Sequence, residues 1–220
     1  MNDYTNTQVC GFKAQNLGSN PSRWPKRAIL SWRVVEDVPP FDRETLCAVV
    51  ANAFKVWSDV CGLRFRRSDA SDPFPNFEIR TQLEGPGGVL ADCELPYPQI
   101  TQKRPLQCRI DRADEFVIAR NPPSSKFGLD QVLRHEFGHG LGLDHGGTGM
   151  MMRVYNAKHW LPSDWEIRLV QDAYGPPLPA VEPVPDRPTA SEDRRLAEWL
   201  VRSGGLVLRV HNSVQVERFQ

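Results

Sequence analysis

His135-Glu136-Phe137-Gly138-His139-Gly140-Leu141-Gly142-Leu143-Asp144-His145 is the stretch whose reading decides the fold. Residues four apart on an α-helix share one face a single turn apart, so His135 and His139 can aim both imidazoles at one ion. A third ligand on the same helix would drift off that face. His145 instead follows Gly142, the residue that enters a left-handed turn without steric cost. The chain can therefore leave the helix and swing back to close a three-histidine set. Zinc takes nitrogen donors at about 2.0–2.1 Å and, in a catalytic site, keeps one position open for water. Glu136 adjoins the first ligand, where its carboxylate can reach that water without binding the metal and serve as general base. His159 and His211 have no such context and read as surface or loop residues.

Working outward, residues 128–141 are expected to form the helix that carries this motif, with Ser124 or Ser125 near its start. Ahead of it, apolar residues Leu46, Val49, Val50, Ala53, Phe54, Trp57 and Val60 recur at helical spacing over residues 42–60, and Gly62 is placed to stop that helix. Residues 28–35, rich in β-branched and aromatic side chains, read as a strand, as do 63–67, 77–80, 89–95 and 108–110. A last helix opens at Ser163, which stands at capping-box distance from Glu166, and runs to Tyr174 before Gly175.

After Gly175 the composition changes. Six prolines fall within residues 176–188, the pattern of an extended, semi-rigid linker. Beyond it, residues 193–201 read as a short helix, and 206–210 with 214–219 as a hairpin about the turn signal His211-Asn212-Ser213. The domain reading is an N-terminal segment over 1–19, a main domain over 20–175, a linker over 176–190 and a small helix–hairpin extension over 191–220.

The 220 residues are 40% hydrophobic and 25% charged, the composition of a globular protein. Lys+Arg and Asp+Glu both total 27, so the net charge supplies no field for nucleic acid or an anionic membrane. No apolar run is long enough to span a bilayer, and residues 1–8 lack the basic-then-apolar layout of a secretory signal. The five cysteines are an odd number. Cys47 and Cys61, near opposite ends of one expected helix, would sit roughly 20 Å apart, too far to bridge. Cys93 and Cys108 can face each other across neighbouring strands, either bridged or as buried thiols.

On these residues the chain resembles the metzincin metalloproteases, and within them the matrixins (matrix metalloproteinase type), whose long zinc motif is followed by a methionine turn. Met150-Met151-Met152 stands in that place, with Met152 the expected turn methionine and Met151 the alternative. Arg23-Trp24-Pro25-Lys26 with Leu30-Ser31-Trp32-Arg33, Ala53-Phe54-Lys55-Val56-Trp57, Gly85-Pro86-Gly87-Gly88-Val89-Leu90-Ala91 and Gln171-Asp172-Ala173-Tyr174-Gly175 are similar to further matrixin segments in the family's order. The resemblance implies an α+β, zincin-like fold. It would have a twisted, mostly parallel five-stranded sheet over two long helices, a third helix after the methionine turn, and a cleft across the front. It also implies one catalytic Zn2+ on His135, His139 and His145, with Glu136 as the catalytic base of a metalloendopeptidase cutting inside extended polypeptides. An extracellular setting follows by family analogy only.

The departures are specific. Asp92 stands where matrixins have a ligand of a second, structural zinc, and Arg109 where a later histidine of that site belongs. That zinc is expected to be absent, while Asp92, Asp111, Asp114 and Glu115 leave a Ca2+ site open. Cys10-Gly11 resembles the pair by which latent matrixins place a thiolate on the catalytic zinc, making Cys10 a candidate inhibitory ligand. The family's flanking Arg and Asp are replaced by Val9 and Phe12-Lys13-Ala14. The alternative function is a zincin-like binding or structural module docked on a larger assembly through the C-terminal extension. An intact Glu136 argues against it, because a purely structural site has no use for a base.

Overall fold

A computed structural model describes residues 10, 23–68, 72–82, 85, 88–96, 104–123, 125–146, 149–152, 155, 159–179, and the backbone of 207–210 and 213–216. The chain divides into two compact units, Met1–Leu178 and Pro179–Gln220. The first holds β1 (Ile29–Val34), α1 (Arg43–Ser58), β2 (Arg64–Arg67), β3 (Phe77–Gln82), β4 (Ala91–Cys93), β5 (Leu106–Asp111), β6 (Phe116–Val117), β7 (Phe127–Gly128), α2 (Leu129–Gly140) and α3 (Asp164–Tyr174).

Five strands form one sheet in the order β2-β1-β3-β5-β4. Pairing is parallel from β2 through β5, and β4 alone runs antiparallel at the edge. This is the expected α+β, zincin-like architecture. Alternation builds its two faces. In β5, Leu106, Cys108 and Ile110 are buried. The intervening Gln107 and Arg109 lie on the other face, beside a charged lattice in which Glu78 accepts from Arg33 at 2.6 Å, Arg80 at 2.8 Å and Gln107 at 3.2 Å.

Helix α1 forms because Leu46, Val49, Val50, Ala53, Phe54 and Trp57 make one buried stripe. Asp42 caps it by accepting from the Thr45 amide at 2.7 Å. The stripe packs against β1 and β2 and against α2, where Phe54 stacks on Phe137 with centroids 3.7 Å apart. The indole of Trp57 donates to the Arg134 carbonyl at 2.9 Å. Capping of α3 follows the expected box: Ser163 takes the Glu166 amide and Glu166 takes the Ser163 amide.

One expectation about a helix end needs correction. The N-cap of α2 is Gly128, with no side-chain hydrogen bond. The two-residue strand β7 pairs with β6 immediately ahead of the helix and delivers the chain to it. Helix α1 already ends at Ser58, capped by the Asp59 amide on Lys55 and Trp57 carbonyls. Gly62 serves another purpose. A Cβ there would lie 2.3 Å from the Tyr174 carbonyl oxygen, and its amide donates to Gly175 at 2.9 Å. The absent side chain lets the chain after α1 lie directly on the end of α3.

All five cysteines are buried thiols, and Cys93 and Cys108 are direct cross-strand partners. Among the described residues no helix is long and apolar enough to cross a membrane. In the second unit β8 (Val207–Val210) pairs antiparallel with β9 (Ser213–Val216). The expected helix over 193–201 lies outside the described residues.

Candidate metal centre

Helix α2 brings His135 and His139 to one face, and the chain then reverses. The Leu143 amide donates to Gly138 at 3.0 Å and the Gly142 amide to His139 at 2.7 Å, with Gly142 at φ +88°. That double bond with a left-handed residue between is a Schellman ending. The remaining carbonyls of the last turn are satisfied from elsewhere in the fold. Trp24 Nε1 donates to the Gly140 oxygen at 2.8 Å, and the Tyr174 hydroxyl to Leu141 at 2.6 Å. The helix end that carries the site is thereby held on two sides.

The reversal returns His145 to the other two histidines. Ring centroids lie 4.8 Å apart for His135–His139, 5.4 Å for His135–His145 and 4.8 Å for His139–His145. The fourth member is Cys10, distant in sequence, whose Sγ lies 3.4 Å from His139 Nε2. One donor atom from each of the four residues falls within 4.8 Å of every other.

These residues fit a zinc ion. His135 Nδ1 faces the Met150 carbonyl at 2.7 Å and His139 Nδ1 faces the Leu143 carbonyl at 2.7 Å. A carbonyl only accepts, so each Nδ1 carries the proton and each Nε2 presents a lone pair. Those two Nε2 atoms stand 3.1 Å apart. Two lone pairs at that distance repel unless a cation lies between them. Tetrahedral zinc at its usual bond lengths would separate such nitrogens by roughly 3.3 Å. Burial lowers the His135 pKa to about 4 and takes His139 well below its ordinary value, so both rings are neutral, ligand-ready bases at pH 7.

Glu136 points to the same centre from the next helical position. It is fully buried, and burial pushes its carboxyl up to about 8. The Tyr155 hydroxyl, the Cys10 side chain and the Cys93 amide pull the other way. A cation alongside acts in that same direction, favouring the carboxylate. The Tyr155 hydroxyl donates to Glu136 Oε1, while Oε2 is buried with no hydrogen-bond partner. Nothing in the sequence reading marked Tyr155 as part of the site.

A family profile for the matrixins matches residues 23–175. The chain belongs to the matrixin family. It is 30% identical over 188 residues to macrophage metalloelastase of Rattus norvegicus, covering 78% of this chain and 38% of that protein. It is 32% identical over 169 residues to human stromelysin-3, covering 72% and 33%. Against human matrix metalloproteinase-17 it is 28% identical over 193 residues, covering 74% and 30%. The chain thus spans about a third of the length of these curated relatives.

Beneath this matrixin site lies a floor of methionine. Met151 is fully buried, and its sulfur would sit 2.3 Å from a Cβ on Gly138, in the middle of the zinc-motif helix. Its amide donates to Glu166 Oε1 at 2.6 Å, and the neighbouring Met150 carbonyl is the one that holds His135. Met152 is only partly buried and forms an isolated bridge with Gly146. Glu166 therefore caps α3 and fixes the methionine segment at once, a double duty the capping-box spacing did not reveal.

Asp92 and Arg109, the two residues expected to replace structural-zinc ligands, engage each other. They are cross-strand partners joined by bonds of 2.8 and 2.6 Å, a bidentate pair on the face away from the helices. Of the other acids weighed for calcium, Asp111 accepts from the Ala113 amide at 2.8 Å and Glu115 pairs with Lys126 at 3.0 Å. Among the described residues, the cluster suited to an ion is Cys10, His135, His139 and His145.

Gly142→Ala should cost about 1–2 kcal/mol of stability, the penalty of a left-handed alanine. It should also weaken zinc binding, because the turn it strains carries His145. Denaturant unfolding with chelator present and a competitive zinc titration would check both. Wild-type values in each would refute the role given to the turn.

Proposed function

We propose that the protein is a zinc-dependent endopeptidase whose metal is held by His135, His139 and His145, with Glu136 as general base. The observation that carries this reading is the facing pair of histidine lone pairs at 3.1 Å, each fixed by a backbone carbonyl, with a buried carboxylate beside them. Zinc, when bound, supplies Lewis acidity and lowers the pKa of a water to near neutrality. Glu136 takes a proton from the attacking water at Oε2 and returns it to the departing amine. A metal that only held the fold together would not need that carboxylate buried against it, which disfavours a binding or structural module.

Substrate would lie extended along β4. That strand closes the sheet, with one edge on β5 and no strand partner on the other among the described residues, and it adjoins the motif helix. An added strand there presents its carbonyls in register beside the site. Met151, which Met152 would displace only by a shift of one residue, serves as the turn methionine under the ligands. No calcium is assigned, and any partner of the C-terminal extension rests on its sequence pattern alone.

Cys10 gives this enzyme a resting state. Its Sγ stands where a fourth ligand would close the site against water, and a thiolate is a strong zinc ligand. Zinc-loaded protein is expected to cut a quenched fluorescent peptide library, and Cys10→Ala to cut it at least about tenfold faster, since the open position is what catalysis needs. A chelator should abolish both activities. Cys10→Ala no faster than the parent would remove the latch, and no cleavage by either protein with one zinc bound would remove the peptidase.

A further inference from the structure

Tyr155 takes no part in the proton transfers assigned to Glu136, yet it lies against both Glu136 and His135. Its hydroxyl donates to Glu136 Oε1. Its ring meets His135 edge-on, with centroids 5.0 Å apart.

A glutamate side chain does not orient its own carboxylate, because the terminal torsion is broad and roughly two-fold. A base that must receive a proton at one oxygen needs the other oxygen held. Here Oε1 is held and Oε2 is not.

We propose that Tyr155 is a positioning residue for Glu136: its hydroxyl anchors Oε1, fixes the plane of the carboxylate and turns Oε2 toward the metal-site water. The inference rests on the peptidase reading for its consequence, but the anchoring contact itself can be measured without turnover. Tyr155→Phe deletes one oxygen and keeps the ring on His135.

Two measurements decide it. In the Cys10→Ala background, Tyr155→Phe should lower kcat by about tenfold, the scale for losing an outer partner of a site residue. KM should stay within about twofold, since the lost contact acts on the base and not on substrate binding. An unchanged kcat, or a loss confined to KM, overturns the proposal. The second measurement uses metal-free protein and the melting temperatures of Glu136→Ala, Tyr155→Phe and the double variant. The double variant should melt well away from the sum of the single shifts, because both changes remove one contact. Additive shifts overturn the proposal whatever the kinetics show. If Cys10→Ala itself cuts nothing, the peptidase reading has failed before Tyr155 is touched, and the melting cycle decides the anchoring contact alone.

Discussion

Replacing Glu136 with alanine is expected to lower peptide cleavage by about 10²–10⁴-fold, the range a positioned general base contributes. Zinc should remain bound at one per chain. The two expectations belong together because the carboxylate adjoins the metal site without being one of its four clustered donors. The ligand geometry rests on Met150 and Leu143 carbonyls, which alanine at 136 leaves in place. Metal content by atomic spectroscopy, set beside cleavage rates, tests this. Full activity in a zinc-loaded Glu136→Ala protein would end the role given to Glu136. Loss of both zinc and activity would mean instead that the carboxylate holds the site together.

Phe137→Ala should cost about 3–5 kcal/mol, the scale for truncating a fully buried aromatic side chain. Phe137 lies between His135 and His139 in sequence, and so on the opposite side of α2. There it is 0% exposed, stacked on Phe54 and edge-on to Phe77 at 6.2 Å. It joins the motif helix to α1 and to the middle of the sheet. Unfolding should be followed in guanidinium with a chelator present, because bound zinc would stabilise the native state and mask part of the loss. A cost under about 1 kcal/mol would mean that Phe54 and Phe77 collapse into the space, and that α2 is held chiefly by other contacts.

The parts of the fold that were legible from the chain are those governed by short-range geometry. The stripe of α1, the Ser163–Glu166 box and the left-handed Gly142 each follow from rules acting within a few residues. The histidine cluster was legible for the same reason: His135, His139 and His145 fall within eleven residues joined by one helix and one turn. The resemblance to matrixins extended that reading to the sheet, and the observed five-stranded, mostly parallel sheet agrees with it.

What only tertiary packing decided lies between residues far apart in the chain. Cys10 meets His139 across 129 positions, and Tyr155 reaches Glu136 through a segment with no periodic pattern to predict where its side chain points. Among three consecutive methionines, Met151 is the one that packs against Gly138, with its amide held by Glu166. Asp92 and Arg109 read as two lost ligands until strand pairing placed them opposite each other. Gly62 read as a helix stop until the Tyr174 carbonyl proved to need the room. Local sequence sets torsions and periodicity over a turn or a strand, and so yields elements and a compact ligand motif. Which side chains meet between elements depends on how those elements pack together, and that is a property of the whole chain.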